Sequence, residues 1–132
     1  MSKIIHSMIR VMDLDQSLKF YADCFALQPA HRLDFPSFSL VYLRNAENDA
    51  EIELTWNRGH TEPYTHGDGY GHIGVCVPDV VSDRDRLLGL GYHPLDIKEF
   101  KADDDSLIAR YFFIQDPDGY KVEVLERLGH YQ

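Results

Sequence analysis

Residues 6–13 read HSMIRVMD, and residues 72–79 read HIGVCVPD. At an offset of 66 residues, His6 coincides with His72, and Asp13 coincides with Asp79. A second pair of similar strings follows later in each half, IEL at residues 52–54 and VEV at residues 122–124. The chain is therefore predicted to contain two copies of one structural unit.

Each copy has the same predicted order of elements. A strand carrying the histidine, at about 3–11 or 70–77, precedes a helix that an aspartate at residue 13 or 79 would cap. Three extended segments follow each helix, at about 27–34, 38–45 and 50–57, and at about 92–98, 107–115 and 120–127. The sequence predicts an α+β protein of two βαβββ modules, at about 1–57 and 70–127, within a single domain spanning 1–132.

The apolar spacing within the two helical segments predicts which helix faces are buried. In the first helix, four apolar residues recur at intervals of four, three and four and so share one face, namely Leu14, Leu18, Tyr21 and Phe25. Gln16 stands three residues after Asp13, at the position of a capping box. In the second helix a weaker face comprises Val80, Leu87 and Leu88, with Gly91 as the expected stop.

Composition excludes several classes of function. The net charge is −9, and no run of Lys or Arg offers a footprint for nucleic acid. The two cysteines do not suggest a disulfide framework, so a reducing compartment is expected. No segment approaches the roughly 18 apolar residues of a membrane span, and the N-terminus lacks a signal-peptide pattern. We therefore expect a cytoplasmic protein without nucleic-acid or membrane partners.

Four polar side chains stand at equivalent places in the two copies. His6 and His72 lie in the first strand of each module, and Glu53 and Glu123 lie within the last apolar strand. A carboxylate buried in a strand is costly unless it is paired. One divalent cation held by two imidazoles and two carboxylates would compensate both, so these four residues are predicted to be metal ligands.

Plainer interpretations of the same residues stay open. A single histidine is more often a surface or hydrogen-bonded residue than a ligand, and the glutamates could face solvent on the wet side of an antiparallel sheet. The other five histidines have no repeat partner and are interpreted as loop or surface residues, namely His31, His60, His66, His93 and His130. The metal hypothesis therefore depends on the coincidence of all four residues.

The chain resembles the glyoxalase I (lactoylglutathione lyase) family of the vicinal oxygen chelate superfamily over nearly its whole length. The shared βαβββ repeat and the turn DPDG at 116–119 are common to the superfamily. The pairing of two His with two Glu and the string IELTWN are more specific to glyoxalase I. The matching strings are MIRV at 8–11, IELTWN at 52–57, YGHI at 70–73 and FIQDPDGYKVE at 113–123.

This resemblance implies a fold, a reaction and a site. The two modules would form an incomplete barrel, and the protein would be a homodimer with sites at the interface. His6 and Glu53 would come from one subunit, and His72 and Glu123 from the other. The implied activity is methylglyoxal detoxification, in which the hemithioacetal of methylglyoxal and glutathione becomes S-lactoylglutathione. One divalent metal ion would be the cofactor, with nickel or cobalt favoured and zinc also compatible.

The resemblance also assigns roles to individual residues. Glu123 would act as the catalytic base, with Glu53 as its counterpart on the other side of the site. Arg10 would hold a substrate carboxylate, and Asn57 would bind the γ-glutamyl end of glutathione. Without the resemblance, Arg10 would be interpreted as a surface cation at a strand edge and Asn57 as a turn residue.

One segment departs from the family pattern. Residues 96–106 read DIKEFKADDDS, which is longer and more acidic than expected there. Basic residues of this region would hold the glycyl carboxylate of glutathione, and the candidates are Lys98, Lys101 and Arg110. The acidic run 103–105 would repel an anionic thiol, so the thiol cosubstrate and any role of the segment as a lid stay open.

Three other functions are compatible with parts of this sequence. An extradiol dioxygenase of the superfamily would use two histidines and one carboxylate with iron, but this chain offers two carboxylates. An acyl-CoA epimerase shares the enolate chemistry but would not be expected to carry IELTWN. A non-catalytic binding or resistance protein would keep the fold without needing the four ligands.

Overall fold

The computed structural model describes residues 1–132. Each half contains a strand, a helix and three further strands, so the predicted βαβββ repeat and the α+β class are confirmed. In the first half the elements are β1 His6–Val11, α1 Leu14–Phe25, β2 Gln28–Asp34, β3 Phe38–Arg44 and β4 Glu51–Asn57. In the second half they are β5 Ile73–Val77, α2 Val80–Gly89, β6 Lys98–Lys101, β7 Leu107–Gln115 and β8 Lys121–Glu126.

The strands form two four-stranded mixed sheets with the same topology. Their orders are β1-β4-β3-β2 and β5-β8-β7-β6. In each sheet the first and last strands of the module pair in parallel, and the other pairs are antiparallel. The chain divides into two compact units, residues 1–65 and residues 66–132, and each unit contains one sheet and one helix. The incomplete barrel and the single-domain arrangement stay predictions.

Both predicted helix N-caps are present. The Oδ1 atom of Asp13 accepts a hydrogen bond from the backbone N–H of Gln16 at 3.0 Å. The Oδ1 atom of Asp79 accepts from the N–H groups of Val81 and Ser82 at 2.9 and 3.1 Å. Hydrogen bonds from Ser82 lower the pKa of the Asp79 carboxyl below its ordinary value, which keeps the cap ionised. Neither helix is both long enough and apolar enough to cross a membrane.

The buried face of α1 differs from the predicted one. Leu14 and Tyr21 are buried as expected, but Leu18 and Phe25 are only partly buried. The stripe that faces the core is completed by Ser17, Phe20 and Cys24. The predicted stripe lay too far to one side because it left out Phe20 as well as the smaller residues Ser17 and Cys24. Small residues such as Ser17 are also accepted in a close-packed layer between helix and sheet. In α2, Val80 and Leu87 are buried, whereas Leu88 is exposed.

The predicted strand at 92–98 is wrong, because β6 begins only at Lys98. Gly91, with φ +89°, ends α2, and Gly91 and Tyr92 donate backbone hydrogen bonds to Leu88 and Leu87. Pro94 has no N–H for a ladder hydrogen bond, which disfavours a strand there. The acidic segment instead forms a hairpin, in which Asp105, at φ +66°, lies in the turn between β6 and β7.

The C-terminus of α1 offers a test of backbone strain. Ala26 adopts the left-handed conformation (φ 54°, ψ 24°) and is exposed, a position where glycine carries no steric cost. Ala26→Gly is expected to raise the free energy of unfolding by about 0.5–1 kcal/mol, since relief of strain exceeds the added chain entropy. Urea denaturation midpoints measure the change. Gly91→Ala, at the equivalent end of α2, should shift the midpoint in the opposite direction, and a lower midpoint for Ala26→Gly would contradict the prediction.

Candidate active site

The register of β1 and β4 determines where His6 and Glu53 lie. Met8 is directly opposite Glu53 in this parallel pair. Because alternate residues of a strand share a face, His6 projects from the same face of the sheet as Glu53. The His6 Nε2 atom lies 3.6 Å from the Glu53 Oε2 atom. The Glu53 side chain is 11% exposed and the His6 side chain 33% exposed.

The second unit repeats this arrangement. Gly74 is directly opposite Glu123 in the parallel pair of β5 and β8, as Met8 is opposite Glu53. His72 immediately precedes β5, and its Nε2 atom lies 2.8 Å from the Glu123 Oε2 atom. Side-chain exposures of 44% for His72 and 18% for Glu123 again make the glutamate the more buried partner. Identical register in both units therefore produces two His–Glu pairs of the same kind.

Aromatic side chains of the third strand of each module support both pairs. Tyr42 in β3 is opposite Glu53, and Phe113 in β7 is opposite Glu123. The ring of Tyr42 meets His6 edge to face, with centroids 5.5 Å apart, and the ring of Phe113 meets His72 at 5.4 Å. Tyr42 and Phe113 therefore occupy equivalent positions in the repeat, which sequence comparison of the two halves had not identified.

Glu53 has a second hydrogen-bond partner. The Tyr42 hydroxyl donates to the Glu53 Oε1 atom at 2.7 Å, which leaves the Oε2 atom towards His6. This hydrogen bond, and burial to a lesser degree, raise the pKa of the Tyr42 phenol above its usual range, so the phenol remains a donor. Sequence reasoning missed Tyr42, because its place opposite Glu53 depends on strand register.

The chemistry of these donors suits a divalent cation. Each pair presents one imidazole nitrogen and one carboxylate oxygen side by side, and two pairs together would balance the double charge of such an ion. No group of three or more His, Cys, Asp or Glu side chains in the chain is arranged to hold a metal ion. The four predicted ligands thus occur as two pairs, one in each unit, and their union around a single ion stays a prediction.

Arg10 and Asn57 lie on the same face of the first sheet as His6 and Glu53. Arg10 follows His6 by four residues and is opposite Thr55, and Asn57 is two residues beyond Thr55. The Asn57 Nδ2 atom donates to the Tyr64 hydroxyl at 3.2 Å. Tyr64 stacks on His60 with ring centroids 4.1 Å apart, so His60 supports Tyr64 next to Asn57. The candidate substrate contacts therefore extend along the sheet from the His6–Glu53 pair.

The basic residues that could hold the glycyl carboxylate do not all lie on the same face of the second sheet. Arg110 forms ion pairs with Glu99 at 3.1 Å and Glu126 at 3.0 Å. Tyr111 and Phe113 lie on the same sheet face as Glu123, and Arg110, one residue before Tyr111, lies on the other face. Its hydrogen bond lowers the pKa of the Glu99 carboxyl below its ordinary value. Lys98 is opposite Tyr111 and so lies on the Glu123 face. Strand alternation therefore favours Lys98 over Arg110 as the substrate contact.

One of the five remaining histidines is more than a surface residue. The His66 ring stacks on Tyr120 with centroids 4.1 Å apart and an interplanar angle of 7°. Its Nε2 atom is buried without a hydrogen-bond partner. Tyr120 directly follows the turn 116–119. The Asp116 Oδ1 atom in this turn accepts a hydrogen bond from the Tyr120 N–H at 2.9 Å. His66 therefore covers the turn that leads into β8 and Glu123.

Residues 3–124 match the family described as the Glyoxalase/Bleomycin resistance protein/Dioxygenase superfamily. The chain belongs to this glyoxalase superfamily. Its curated relatives include a "Probable lactoylglutathione lyase" of Synechocystis sp., 38% identical over 93% of this chain and 94% of that protein. A "Lactoylglutathione lyase" of Haemophilus influenzae is 36% identical over 94% of this chain and 92% of that protein.

Solved structures of glyoxalases share the fold. Glyoxalase I of Leishmania major, described as trypanothione-dependent, is 32% identical with a TM-score of 0.75, over 96% of this chain and 87% of that chain. Glyoxalase I of Zea mays is 27% identical with a TM-score of 0.81, and the match covers 96% of this chain but only 45% of that one. The expected family and fold of this glyoxalase are thereby confirmed.

Proposed function

We propose that this glyoxalase is a lactoylglutathione lyase. It isomerises the hemithioacetal of methylglyoxal and glutathione to S-lactoylglutathione and so detoxifies methylglyoxal. The observation that carries the proposal is the pair of His–Glu sites at identical register in both units. Relatives that bear this name at 36–38% identity over nearly their whole length support it.

One divalent metal ion is the proposed cofactor, held by His6, Glu53, His72 and Glu123. Two imidazoles, two carboxylates and water suit an octahedral ion, with nickel or cobalt favoured and zinc also compatible. When bound, the ion would act as a Lewis acid that stabilises negative charge developing on the vicinal oxygens of the substrate.

The chain's own side chains would then move the proton. A carboxylate beside the substrate takes the proton from the carbon that bears the thiol sulfur and the hydroxyl. The same carboxylate returns it to the neighbouring carbonyl carbon, the hydroxyl proton passes to the oxygen on that carbon, and the sulfur-bearing carbon becomes the thioester carbonyl. Atoms balance without any oxidant or reductant, so neither a nicotinamide nor a flavin enters the reaction. Glu123 is the proposed base, and Glu53 is its counterpart.

Binding residues would hold the thiol portion of the substrate. Arg10 would pair with a substrate carboxylate through its guanidinium group. Asn57, positioned by Tyr64, would bind the γ-glutamyl end. Lys98, on the Glu123 face of β6, would hold the glycyl carboxylate, while the acidic hairpin turn 103–105 would disfavour more anionic thiols.

The proposed assembly is a homodimer. Each site would combine His6 and Glu53 of one subunit with His72 and Glu123 of the other, which fits the division of the four donors between two compact units. A cytoplasmic location follows from the expected reducing compartment and stays a prediction.

Metal reconstitution tests the proposed activity. Metal-free protein loaded separately with nickel and with zinc is mixed with methylglyoxal and glutathione, and the thioester absorbance is followed. We expect turnover only with metal, and faster turnover with nickel than with zinc. Tight metal binding without turnover for glutathione or other thiols would instead favour the acyl-CoA epimerase interpretation, and absence of metal binding would overturn the proposed site.

A further inference from the structure

The two glutamates of the repeat have different surroundings. Glu53 lies between Met8 on β1 and Tyr42 on β3, and it receives the Tyr42 hydrogen bond at 2.7 Å. Glu123 lies between Gly74 on β5 and Phe113 on β7. The repeat therefore places a phenol beside one carboxylate and a plain benzene ring beside the other.

The hydrogen bond restrains Glu53. A phenol that donates to a carboxylate makes a charge-assisted hydrogen bond, which is stronger than one between neutral groups. Glu53 is also nearly fully buried, with 9% of the residue exposed. With its Oε1 atom bound to Tyr42, Glu53 can offer its Oε2 atom to a metal without changing its own orientation.

Glu123 receives no equivalent hydrogen bond from β7, although its Oε2 atom lies 2.8 Å from the His72 Nε2 atom, closer than the 3.6 Å between Glu53 and His6. Phe113 has no hydrogen-bond donor to offer, although its ring contacts His72 as Tyr42 contacts His6. A Cβ atom at Gly74 would have only the Leu125 Cδ1 atom, 4.0 Å away, within ordinary contact distance. No atom of Glu123 lies within 4 Å of that position, so the lack of a side chain at Gly74 does not bear on the freedom of Glu123.

We propose that Tyr42 is a positioning residue that holds Glu53 in place as a metal ligand, whereas Phe113, at the equivalent position, leaves Glu123 without such a hydrogen bond. This inference rests on the proposed function and adds the structural cause of the division of labour between the two carboxylates. The two otherwise equivalent His–Glu pairs therefore differ in whether a tyrosine hydroxyl holds the carboxylate.

The exchange of the two aromatic residues tests the proposal. Tyr42→Phe removes the hydrogen bond from Glu53, and Phe113→Tyr places a phenol beside Glu123. Metal dissociation constants are measured by competition between the protein and a chelator for zinc, and kcat and KM are measured with the nickel-loaded protein. Tyr111→Phe is the matched control for metal affinity, because Tyr111 is opposite Leu125 and not a ligand.

We expect Tyr42→Phe to change zinc affinity and Phe113→Tyr to change kcat. Tyr42→Phe should weaken zinc affinity about 10- to 100-fold, as loss of a hydrogen bond to a ligand does, while Tyr111→Phe leaves it unchanged. Phe113→Tyr should keep or strengthen zinc affinity and lower kcat about tenfold or more, with little change in KM. If Phe113→Tyr does not fold, Tyr42→Phe with its control Tyr111→Phe still tests the proposal through zinc affinity.

Two results would overturn the proposal. One is a zinc affinity of Tyr42→Phe equal to that of the unmodified protein, which would reduce Tyr42 to a packing partner of His6. The other is an unchanged kcat when Phe113→Tyr places a phenol beside Glu123. Zinc affinity is measured without any substrate, so failure of the proposed isomerase activity would be seen separately.

Discussion

Glu123→Gln is expected to lower kcat about 100- to 10,000-fold at saturating metal, the range that a general base contributes. Glutamine keeps the length of the glutamate side chain and one oxygen that can bind a metal, but it cannot accept a proton from carbon. In the second unit, Glu123 is the carboxylate that pairs with His72, at 2.8 Å. Steady-state kinetics with nickel, together with the metal content of each preparation, measure the effect.

The matched control is Glu126→Gln in the same strand. Glu126 lies on the opposite face of β8, where it accepts hydrogen bonds from Arg110 at 3.0 Å and from the Val80 N–H at 3.3 Å. Its loss should lower the unfolding midpoint and leave kcat within about twofold, since it is remote from the His–Glu pair. A metal-loaded Glu123→Gln protein with kcat within tenfold of the unmodified protein would remove Glu123 from the role of base.

Complementation between two inactive variants is expected to restore activity from near zero to about half of the wild-type value per dimer. One variant carries His6→Ala with Glu53→Gln, and the other carries His72→Ala with Glu123→Gln. In a homodimer with shared sites, the mixed dimer combines the intact first unit of one chain with the intact second unit of the other. It therefore contains one complete site and one site that lacks all four ligands.

Differently tagged chains make this experiment decisive. The two variants are co-expressed, and mixed dimers are isolated through both tags before activity and bound nickel are measured. Each double variant prepared alone is the control and should lose at least about a hundredfold in activity. If each site belonged to one chain, the mixed dimer would stay inactive and bind no metal tightly, and the proposed interface site would be wrong.

Local sequence signals determined the repeat and the helix starts. Asp13 and Asp79 each cap a helix because a short side-chain acceptor satisfies N–H groups within three residues. Strand alternation around the glutamates, together with the repeat, was enough to select the two His–Glu pairs. These signals act over a few residues, so they can be interpreted without knowledge of the tertiary structure.

Signals that depend on packing were less reliable. The start of β6 was misplaced because Pro94 and the hairpin turn matter more than apolar content there. Arg110 looked like a substrate contact until the register placed it with Glu99 and Glu126 on the other face. The buried stripe of α1 was rotated because the small residue Ser17 packs where the sequence pattern indicated Leu18.

By itself, the sequence determined that two equivalent βαβββ modules each carry a histidine and a glutamate, because repetition and strand periodicity are properties of the chain alone. Only the tertiary structure decided that Tyr42 donates to Glu53 while Phe113 and Gly74 flank Glu123. The physical reason is register: which side chains meet across neighbouring strands is determined by non-local hydrogen bonding and core packing, and a shift of one residue would reverse every face.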